Sequence, residues 1–268
     1  MELYQNRMVV KVGSSTLTDE TGRSDIQSFE RVARILSGLQ DRGIEVILVS
    51  SGAVAAGLGL LDKASSSASP HRRQAAAAVG QREILRLYDR FFSKYGKTIG
   101  QILLKDEDFL LEERRKNLLR TFEELLELGV IPVVNENDSV GSDGPQSEKR
   151  LFDNNDMLAA LTAVLCRAKR LAILSDVDGL YDCDPRRNSN AELIVKIDRV
   201  SDELFRMAGG AGTRCGTGGM KAKLRAAELA ASRGVDTFII NGRNPAALFR
   251  MIEGQSVGTL IAGKGKGE

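Results

Sequence analysis

The stretch Met8-Val-Val-Lys-Val-Gly-Ser-Ser15 decides the fold class, because in it an apolar strand ends at a lysine, a glycine and two serines. Glu45-Val-Ile-Leu-Val-Ser-Ser-Gly52 repeats the pattern of an apolar run followed by hydroxyls and a glycine. Continuous apolar runs, rather than alternating ones, are typical of strands buried on both faces of a parallel sheet. Helical patterns separate these runs, so the sequence predicts an α/β protein with a mainly parallel sheet covered on both faces.

Other apolar runs and helical patterns extend this prediction along the chain. Further strands are predicted at residues 99–104, 130–134, 171–174, 237–240 and 259–262. Helices are predicted at residues 26–39, 74–92, 112–128, 156–167, 220–233 and 246–253, the first with Ser24 as its N-cap. Segments 50–57, 65–69 and 141–150 are expected to be loops. Since no internal repeat or long linker divides the chain, we expect a single domain over residues 1–268.

Composition limits the class of protein. The 268 residues are 42% hydrophobic and 28% charged, as is usual for a globular protein with a sizeable core. A net charge of +2 does not indicate a nucleic-acid or membrane partner, and no apolar run has the roughly 20 residues that cross a bilayer. No signal-peptide pattern opens the chain, and the three cysteines lack metal-type spacing, so we expect reduced thiols and a cytoplasmic location. A single histidine, His71, argues against a histidine-based metal site or catalytic triad, and we predict no metal ligand.

The segment Gly212-Thr-Arg-Cys-Gly-Thr-Gly-Gly-Met-Lys-Ala-Lys223 is a glycine-rich loop that leads into a helix. Glycines let backbone N–H groups approach an anion, a helix N-terminus adds unpaired N–H groups, and Lys221 and Lys223 add positive charge. The pattern suits the phosphates of a nucleotide; the alternative is a flexible loop with surface lysines. The loop matches neither the P-loop nor the dinucleotide-binding fingerprint, so a nucleotide would be held in another way.

Polar residues follow several of the apolar strands, whose carboxyl ends form the ligand crevice in sheets of this kind. Lys11 ends an apolar strand and is expected to meet an anion, because a buried lysine is costly unless it is paired. Ser50-Ser51-Gly52 offers hydroxyls and close backbone approach, or only a tight turn. Asn135-Glu-Asn-Asp138 offers carboxylates for an ammonium and amides for a carboxylate, as a zwitterion needs, or only an Asx-rich turn.

Two further polar clusters adjoin predicted elements. Asp153-Asn-Asn-Asp156 precedes a helix; one of the four residues is its N-cap, and four together predict a ligand role. Ser175-Asp-Val-Asp-Gly179 ends a strand. An aspartate there could orient lysines, bind a nucleotide or approach a metal ion, or simply form an Asp-Gly turn.

Seven segments, in chain order, resemble the amino acid kinase family. They are Lys11-Val-Gly-Ser-Ser15, Val49-Ser-Ser-Gly-Ala-Val-Ala-Ala-Gly57, Ala78-Val-Gly-Gln81, Gly100-Gln-Ile-Leu-Leu104, Pro132-Val-Val-Asn-Glu-Asn-Asp138, Asp176-Val-Asp-Gly-Leu-Tyr-Asp-Cys-Asp-Pro185 and Gly216-Thr-Gly-Gly-Met220. The fifth and seventh segments together are most similar to the branch of that family that phosphorylates glutamate. The resemblance implies a three-layer α/β/α sandwich with a mainly parallel central sheet, which uses ATP and Mg²⁺. It also implies one kinase domain, and although many family members carry a C-terminal PUA domain, we expect none in this chain.

The resemblance implies roles for individual residues. Lys11 and Lys223 match lysines that act on the phosphates of ATP, and Asp156 matches the aspartate that organises both. The matches to glutamate-binding residues are Ser51, Asp138 and Asn155. The matches to nucleotide-binding residues are Lys11, Ser175, Asp176, Thr217, Gly218, Gly219, Met220, Lys221, Ala222 and Lys223. The sequence departs from the family at Phe152-Asp-Asn-Asn-Asp156, where Phe-Gly-Asp-Asn-Asp is usual.

The implied activity is ATP-dependent phosphorylation of the γ-carboxylate of L-glutamate to L-glutamyl 5-phosphate, the first step of proline biosynthesis. It implies proline as a feedback inhibitor and glutamyl phosphate reductase as the next enzyme, and we also expect a homo-oligomer. One alternative is a sibling kinase that acts on acetylglutamate, aspartate, carbamate or a nucleotide, which a substrate panel would distinguish. Another is an inert relative that binds an amino acid or RNA, which measured ATP turnover would exclude.

Overall fold

The computed structural model describes residues 2–19, 23–61, 69–140, 151–152, 154–183, 188, 190–208 and 219–264. The strands over these residues are β1 Tyr4–Val12, β2 Glu45–Ser50, β3 Ile99–Leu104, β4 Ile131–Glu136, β5 Ala168–Ser175, β6 Lys196–Ile197, β7 Asp236–Asn241 and β8 Thr259–Ile261. The helices are α1 Ser14–Leu17, α2 Ile26–Asp41, α3 Ala53–Leu60, α4 Pro70–Lys94, α5 Asp106–Leu110, α6 Glu112–Glu127, α7 Asn155–Leu165, α8 Asp202–Met207, α9 Met220–Ala231 and α10 Ala247–Ile252. A 3-10 turn, Asp138–Val140, follows β4.

The eight strands form one sheet in the order β3-β4-β2-β1-β5-β7-β8-β6. Every neighbouring pair is parallel except β7 and β8, which run antiparallel. The strand order places β1 in the middle, with β2 and β5 on either side. The mainly parallel sheet predicted from the continuous apolar runs is therefore confirmed.

Alternate residues of β1 divide the interior into two cores, one on each face of the sheet. Met8, Val10 and Val12 pack in one core, which α2, α4 and α10 cover. Val9 packs in the other core, which α6, α7 and α9 cover. All four side chains are buried, because a parallel strand in the centre of a sheet is enclosed on both sides. Helices, sheet and helices thus form three layers.

Local predictions from the sequence differ from the structure in identifiable ways. The N-cap of α2 is Asp25, whose Oδ1 accepts from the Gln27 N–H at 3.1 Å, so the prediction of Ser24 was wrong. Ser24 instead forms a bridge with Thr18. Residues 53–57 were predicted as loop but belong to α3. The helix was not predicted because a run of alanine and glycine gives no amphipathic signal. Segments 65–68 and 141–150 lie outside the described residues.

Helices α3 and α4 pack with almost no space between their backbones. A Cβ at Gly80 would lie 1.8 Å from the Ala53 carbonyl oxygen, and one at Gly57 would lie 1.8 Å from the Ala76 carbonyl oxygen. No methyl group fits at such distances, so both glycines are required for the close approach. This contact fixes α4 against the start of α3, next to the carboxyl end of β2.

We expect Gly80→Ala to destabilise the protein by about 3 kcal/mol, because the clash is with backbone and cannot be relieved by a side-chain rotation. The same change in an unobstructed helix would be stabilising by about 1 kcal/mol. Gly38→Ala in α2 is the matched control, since its Cβ would meet only the Phe249 ring, at 2.9 Å. Urea unfolding measures both variants. A stability of Gly80→Ala equal to that of Gly38→Ala would contradict the packing argument.

Candidate active site

The carboxyl ends of four adjacent strands bring the predicted polar residues to one edge of the sheet. Val12 of β1 is in register with Ser50 of β2 and with Leu174 of β5. Strand β5 then ends at Ser175, and Asn135 and Glu136 end β4 beyond β2. Residues separated by more than a hundred positions in the chain are thereby placed side by side.

A buried carboxylate, that of Asp156, holds two buried lysines at this edge. Lys11 Nζ lies 2.6 Å from Asp156 Oδ1, and Lys223 Nζ donates to Asp156 Oδ2 at 3.2 Å. The Asp156 side chain is 1% exposed, and those of Lys11 and Lys223 are 8% and 10% exposed. The structure thus brings together the three residues predicted to be catalytic, from β1, α7 and α9.

The start of α7 positions Asp156. The Asn154 side chain is the N-cap, and its Oδ1 accepts from the backbone N–H groups of Asp156 and Met157, both at 3.0 Å. An uncapped helix would leave these donors unsatisfied, so the cap fixes the first turn of α7. The positive end of the helix dipole also favours a carboxylate at this position.

The charges in the cluster shift one another's pKa values. Burial lowers the pKa of Lys11, and the negative charges of Asp156 and Asp176 oppose that shift only in part. Burial alone would raise the pKa of Asp156, but the charges of Lys11 and Lys223 outweigh it, so the net effect is a lowered pKa. Asp156 therefore remains ionised at neutral pH.

Asn155, next to Asp156, connects the ends of two strands, β2 and β4. Its Nδ2 donates to the Ser50 carbonyl at 3.0 Å, to Ser51 Oγ at 3.0 Å and to Asn135 Oδ1 at 2.9 Å. Two of the predicted substrate-binding residues, Ser51 and Asn155, are therefore in direct contact. The two hydrogens of Asn155 Nδ2 are shared among these three acceptors, which closely defines the orientation of the Asn155 amide.

Beyond Asn135 lies a cavity of about 380 Å³ between α4, β3 and the end of β4. The third predicted substrate-binding residue, Asp138, lines it together with Glu136, whose Oε1 lies 3.1 Å from Lys105 Nζ. The remaining lining residues are Ala53, Ala77, Ala78, Gln81, Arg82, Leu85, Gln101, Leu103, Asn137 and Ser139. The cavity offers carboxylates, amides and a guanidinium but does not contain the two buried lysines. Asn155 and Ser51 lie between the two regions.

The residues predicted to bind a nucleotide divide into several groups. Ser175 Oγ donates to Asp176 Oδ1 at 3.2 Å, at the end of β5 near Lys11. At the start of α9, the N-cap is Gly219, which has no side chain that could cap the helix. Met220 packs against a small apolar cluster that includes Leu224 and Ile239, and Ala222 is half-buried. Lys221 is exposed, so the structure does not bring it to Asp156 beside Lys223. Thr217 and Gly218 lie outside the described residues.

The sequence does not identify Gln81 as a partner of Asn135, although Gln81 lies in the segment Ala78-Val-Gly-Gln81 that resembles the family. Gln81 is buried and accepts from Asn135 Nδ2 at 2.7 Å. It lies on the otherwise apolar face of α4 with Ala77, Ile84 and Tyr88. A glutamine on a buried helical stripe is itself a signal, because an interior amide needs a partner.

Two classes of feature are lacking in the described part of the chain. None of its helices combines the length and apolar character required to cross a bilayer. Nowhere in it do three or more histidine, cysteine, aspartate or glutamate side chains form a group that could hold a metal ion.

Comparisons with known proteins find matches over most of the chain. The sequence pattern of the amino acid kinase family matches residues 6–241. The chain is 48% identical to a glutamate 5-kinase of Clostridium tetani over 252 residues, which are 94% of this chain and 92% of that protein. It is 42% identical to a glutamate 5-kinase of Clostridium perfringens, over 98% of this chain and 97% of that one. Among solved structures, the UMP kinase of Bacillus anthracis superposes with a TM-score of 0.65 at 18% identity, over 97% of each chain, and shows a shared fold.

We expect Asp156→Asn to destabilise the protein by about 3–5 kcal/mol at pH 7, because two buried ammonium groups lose their shared counter-charge. The folded-state pKa of Asp156 is lowered, so its stabilisation is fully present above the unfolded value of about 4. It is lost as pH falls through the lowered pKa, so the difference between wild type and variant should shrink there. Urea unfolding across a pH series measures this difference.

The exposed ion pair of Lys196 and Asp198, 2.8 Å long, supplies the control. Asp198→Asn should leave the stability nearly unchanged, as is usual for surface pairs. An Asp156→Asn variant as stable at pH 7 as Asp198→Asn would show that the buried cluster does not depend on the carboxylate.

Proposed function

Because the chain belongs to the amino acid kinase family, we propose that it transfers the γ-phosphoryl group of ATP to the γ-carboxylate of L-glutamate. The product is L-glutamyl 5-phosphate, which begins proline biosynthesis. The observation that carries the proposal is the pair of buried lysines held by Asp156 beside a cavity with groups suited to an amino acid. Relatives that carry the name glutamate 5-kinase over nearly the whole chain support the choice of substrate.

The reaction needs charge relief and alignment rather than a base. A glutamate side chain has a pKa of about 4.3, so it is an ionised nucleophile at neutral pH. One of its oxygens attacks the γ-phosphorus, the bond to the β–γ bridging oxygen breaks, and ADP leaves with the electron pair. Lys11 and Lys223 lie where they can neutralise the charge on the transferring group.

The amino acid would span the two regions that Asn155 joins. Its γ-carboxylate would face the lysines, and its ammonium and α-carboxylate would enter the cavity that Asp138 lines. Asp138 offers a counter-charge for the ammonium, while Ser51 and Asn155 offer a hydroxyl and an amide along the chain between them.

The nucleotide would occupy the other side of the lysines. Ser175 and Asp176 at the end of β5, and Gly219–Lys223 at the start of α9, adjoin Lys11 and Lys223 there. The open N-terminus of α9 supplies backbone donors of the kind that hold phosphate oxygens. Both oxygens of Asp156 already contact lysines, so Mg²⁺ would be held chiefly by the ATP phosphates and would reduce their charge.

The product and the pathway set two further expectations. An acyl phosphate is a reactive mixed anhydride, so a glutamyl phosphate reductase should consume it promptly. Cys166 and Cys183 are thiols rather than half-cystines, which fits the reducing conditions of the cytoplasm, where we place the enzyme.

A hydroxylamine assay tests the activity, because hydroxylamine traps the acyl phosphate as a hydroxamate. Hydroxamate that forms only with both ATP and glutamate is the expected result. If more hydroxamate forms with acetylglutamate or aspartate than with glutamate, that compound is the substrate. ADP release without hydroxamate would show that the product is not an acyl phosphate.

Lys223→Met should lower kcat by about 10²–10³, since it removes a preorganised charge from the transferring phosphoryl group. The KM for glutamate should change only a few-fold, because the effect is confined to the transition state. Arg225→Met, on the exposed face of the same helix, is the control and should retain wild-type kinetics. A kcat for Lys223→Met within about threefold of wild type would remove Lys223 from the mechanism, given the size expected of such a group.

Proline should inhibit in competition with glutamate and not with ATP. Proline shares the ammonium and α-carboxylate of glutamate but lacks the γ-carboxylate, so it fits the cavity end of the site alone. Asp138→Ala should therefore weaken proline inhibition and raise the KM for glutamate together, by about tenfold each for a lost charged contact of roughly 1.5 kcal/mol. Steady-state kinetics with both ligands varied measure this, and inhibition that saturating glutamate cannot relieve would indicate a second site.

A further inference from the structure

Gln81 is a buried polar side chain for which the reaction described above has no use. It is 9% exposed and lies on α4, beside the alanines and Ile84 that pack toward the sheet. An interior amide without a partner is costly, so its bond to Asn135 at 2.7 Å is the main compensation for burying it. A leucine would fill the position without that need. The glutamine therefore requires a reason beyond packing.

The Glu136 backbone N–H fixes which way the Asn135 amide faces, and Gln81 holds the opposite end of that amide. Gln81 Oε1 accepts from the NH₂ end of Asn135, whose carbonyl end faces the other way. That carbonyl, Oδ1, accepts from the Glu136 N–H and from Asn155 Nδ2, both at 2.9 Å. A flipped Asn135 would oppose its NH₂ group to that of Asn155. The series Gln81, Asn135, Asn155 thus has one consistent arrangement of donors and acceptors.

The residue before Gln81 fixes the position of α4 itself. Gly80 lies against the Ala53 carbonyl and the Gly57 N–H, where a Cβ would come within 1.8 and 2.5 Å of the O and N atoms. Helix α4 therefore cannot slide along α3. Gly80 sets where the helix lies, and Gln81, at the next position, reaches across to β4.

We propose that Gln81 is a positioning residue for the amino acid substrate, acting through Asn135 to hold the Asn155 amide in its binding orientation. This rests on the proposed function, in which Asn155 and Ser51 contact the substrate. Gln81 also lines the cavity assigned to the amino acid head group, whereas the buried lysines do not. Its effect should therefore fall on the amino acid and not on ATP.

Gln81→Met keeps the length of the side chain but removes the acceptor. We expect the KM for glutamate to rise about tenfold, the equivalent of roughly 1.4 kcal/mol, with kcat and the KM for ATP within about twofold of wild type. Gln81→Glu, which retains an acceptor oxygen of the same reach, should recover most of the loss. Gln40→Met on α2 removes an amide that donates to the Gly129 carbonyl at 2.8 Å, outside the cavity lining, and it should leave the KM for glutamate within about twofold.

A double-mutant cycle separates positioning from general damage. If Gln81 acts through Asn135, the variant with both Gln81→Met and Asn135→Ala should be no worse than Asn135→Ala alone. Additive losses, an unchanged KM for glutamate in Gln81→Met, or an equal rise in the KM for ATP would each overturn the proposal. If Gln81→Met does not fold, Gln81→Asn is the substitute, because its shorter side chain moves the acceptor oxygen away from Asn135 by one methylene. This variant must show the same rise in the KM for glutamate without a rise in the KM for ATP.

These outcomes can be distinguished from failure of the proposed function. The proposed function fails if the wild type forms no hydroxamate from glutamate. The positioning proposal fails on the ratio of variant to wild type, measured with whichever amino acid the wild type phosphorylates.

Discussion

One buried carboxylate between two buried ammonium groups is the interaction on which the site depends. Each buried ion carries a desolvation cost of several kcal/mol, and an apolar cluster of equal volume would often stabilise the fold as well or better. Two lysines of low exposure share this one carboxylate, and the Asp176 carboxylate also acts on Lys11. Lysines gathered where strand ends and helix starts converge favour an incoming anion. The cluster is therefore better explained by binding a phosphate chain than by stability.

The architecture makes this cluster from distant parts of the chain. Lys11 comes from the central strand, Asp156 from the first turn of α7, and Lys223 from the first turns of α9. The carboxyl edge of a parallel sheet is where strand ends and helix starts converge, so backbone donors and polar side chains collect there.

The sequence predicts the sheet well because each central strand is enclosed on both sides and must be apolar throughout. It predicts the edge residues because polar groups that end apolar strands have few structural reasons to be there. It fails where the determining contact is not local: the partner of Gln81 lies 54 positions away, and no pattern near α4 specifies it. Lys221 and Lys223 were both predicted to bring positive charge to the phosphates, although residues two apart on a helix lie about 200° apart and face different surroundings. Helix α3 was missed because alanine and glycine give no periodic signal.

Asn155 and Asp156 are consecutive, yet they serve the two halves of the site. Neighbouring residues on a helix point about 100° apart, so one turn of α7 directs an amide toward Ser51 and Asn135 and a carboxylate toward the lysines. Phosphoryl transfer between two bound substrates depends on holding the attacking oxygen and the phosphorus about 3–3.5 Å apart and in line. Here the groups that would align the two substrates lie on adjacent residues of one capped turn, with no flexible segment between them. The relative placement of acceptor and phosphate would then be set by the capped first turn of α7.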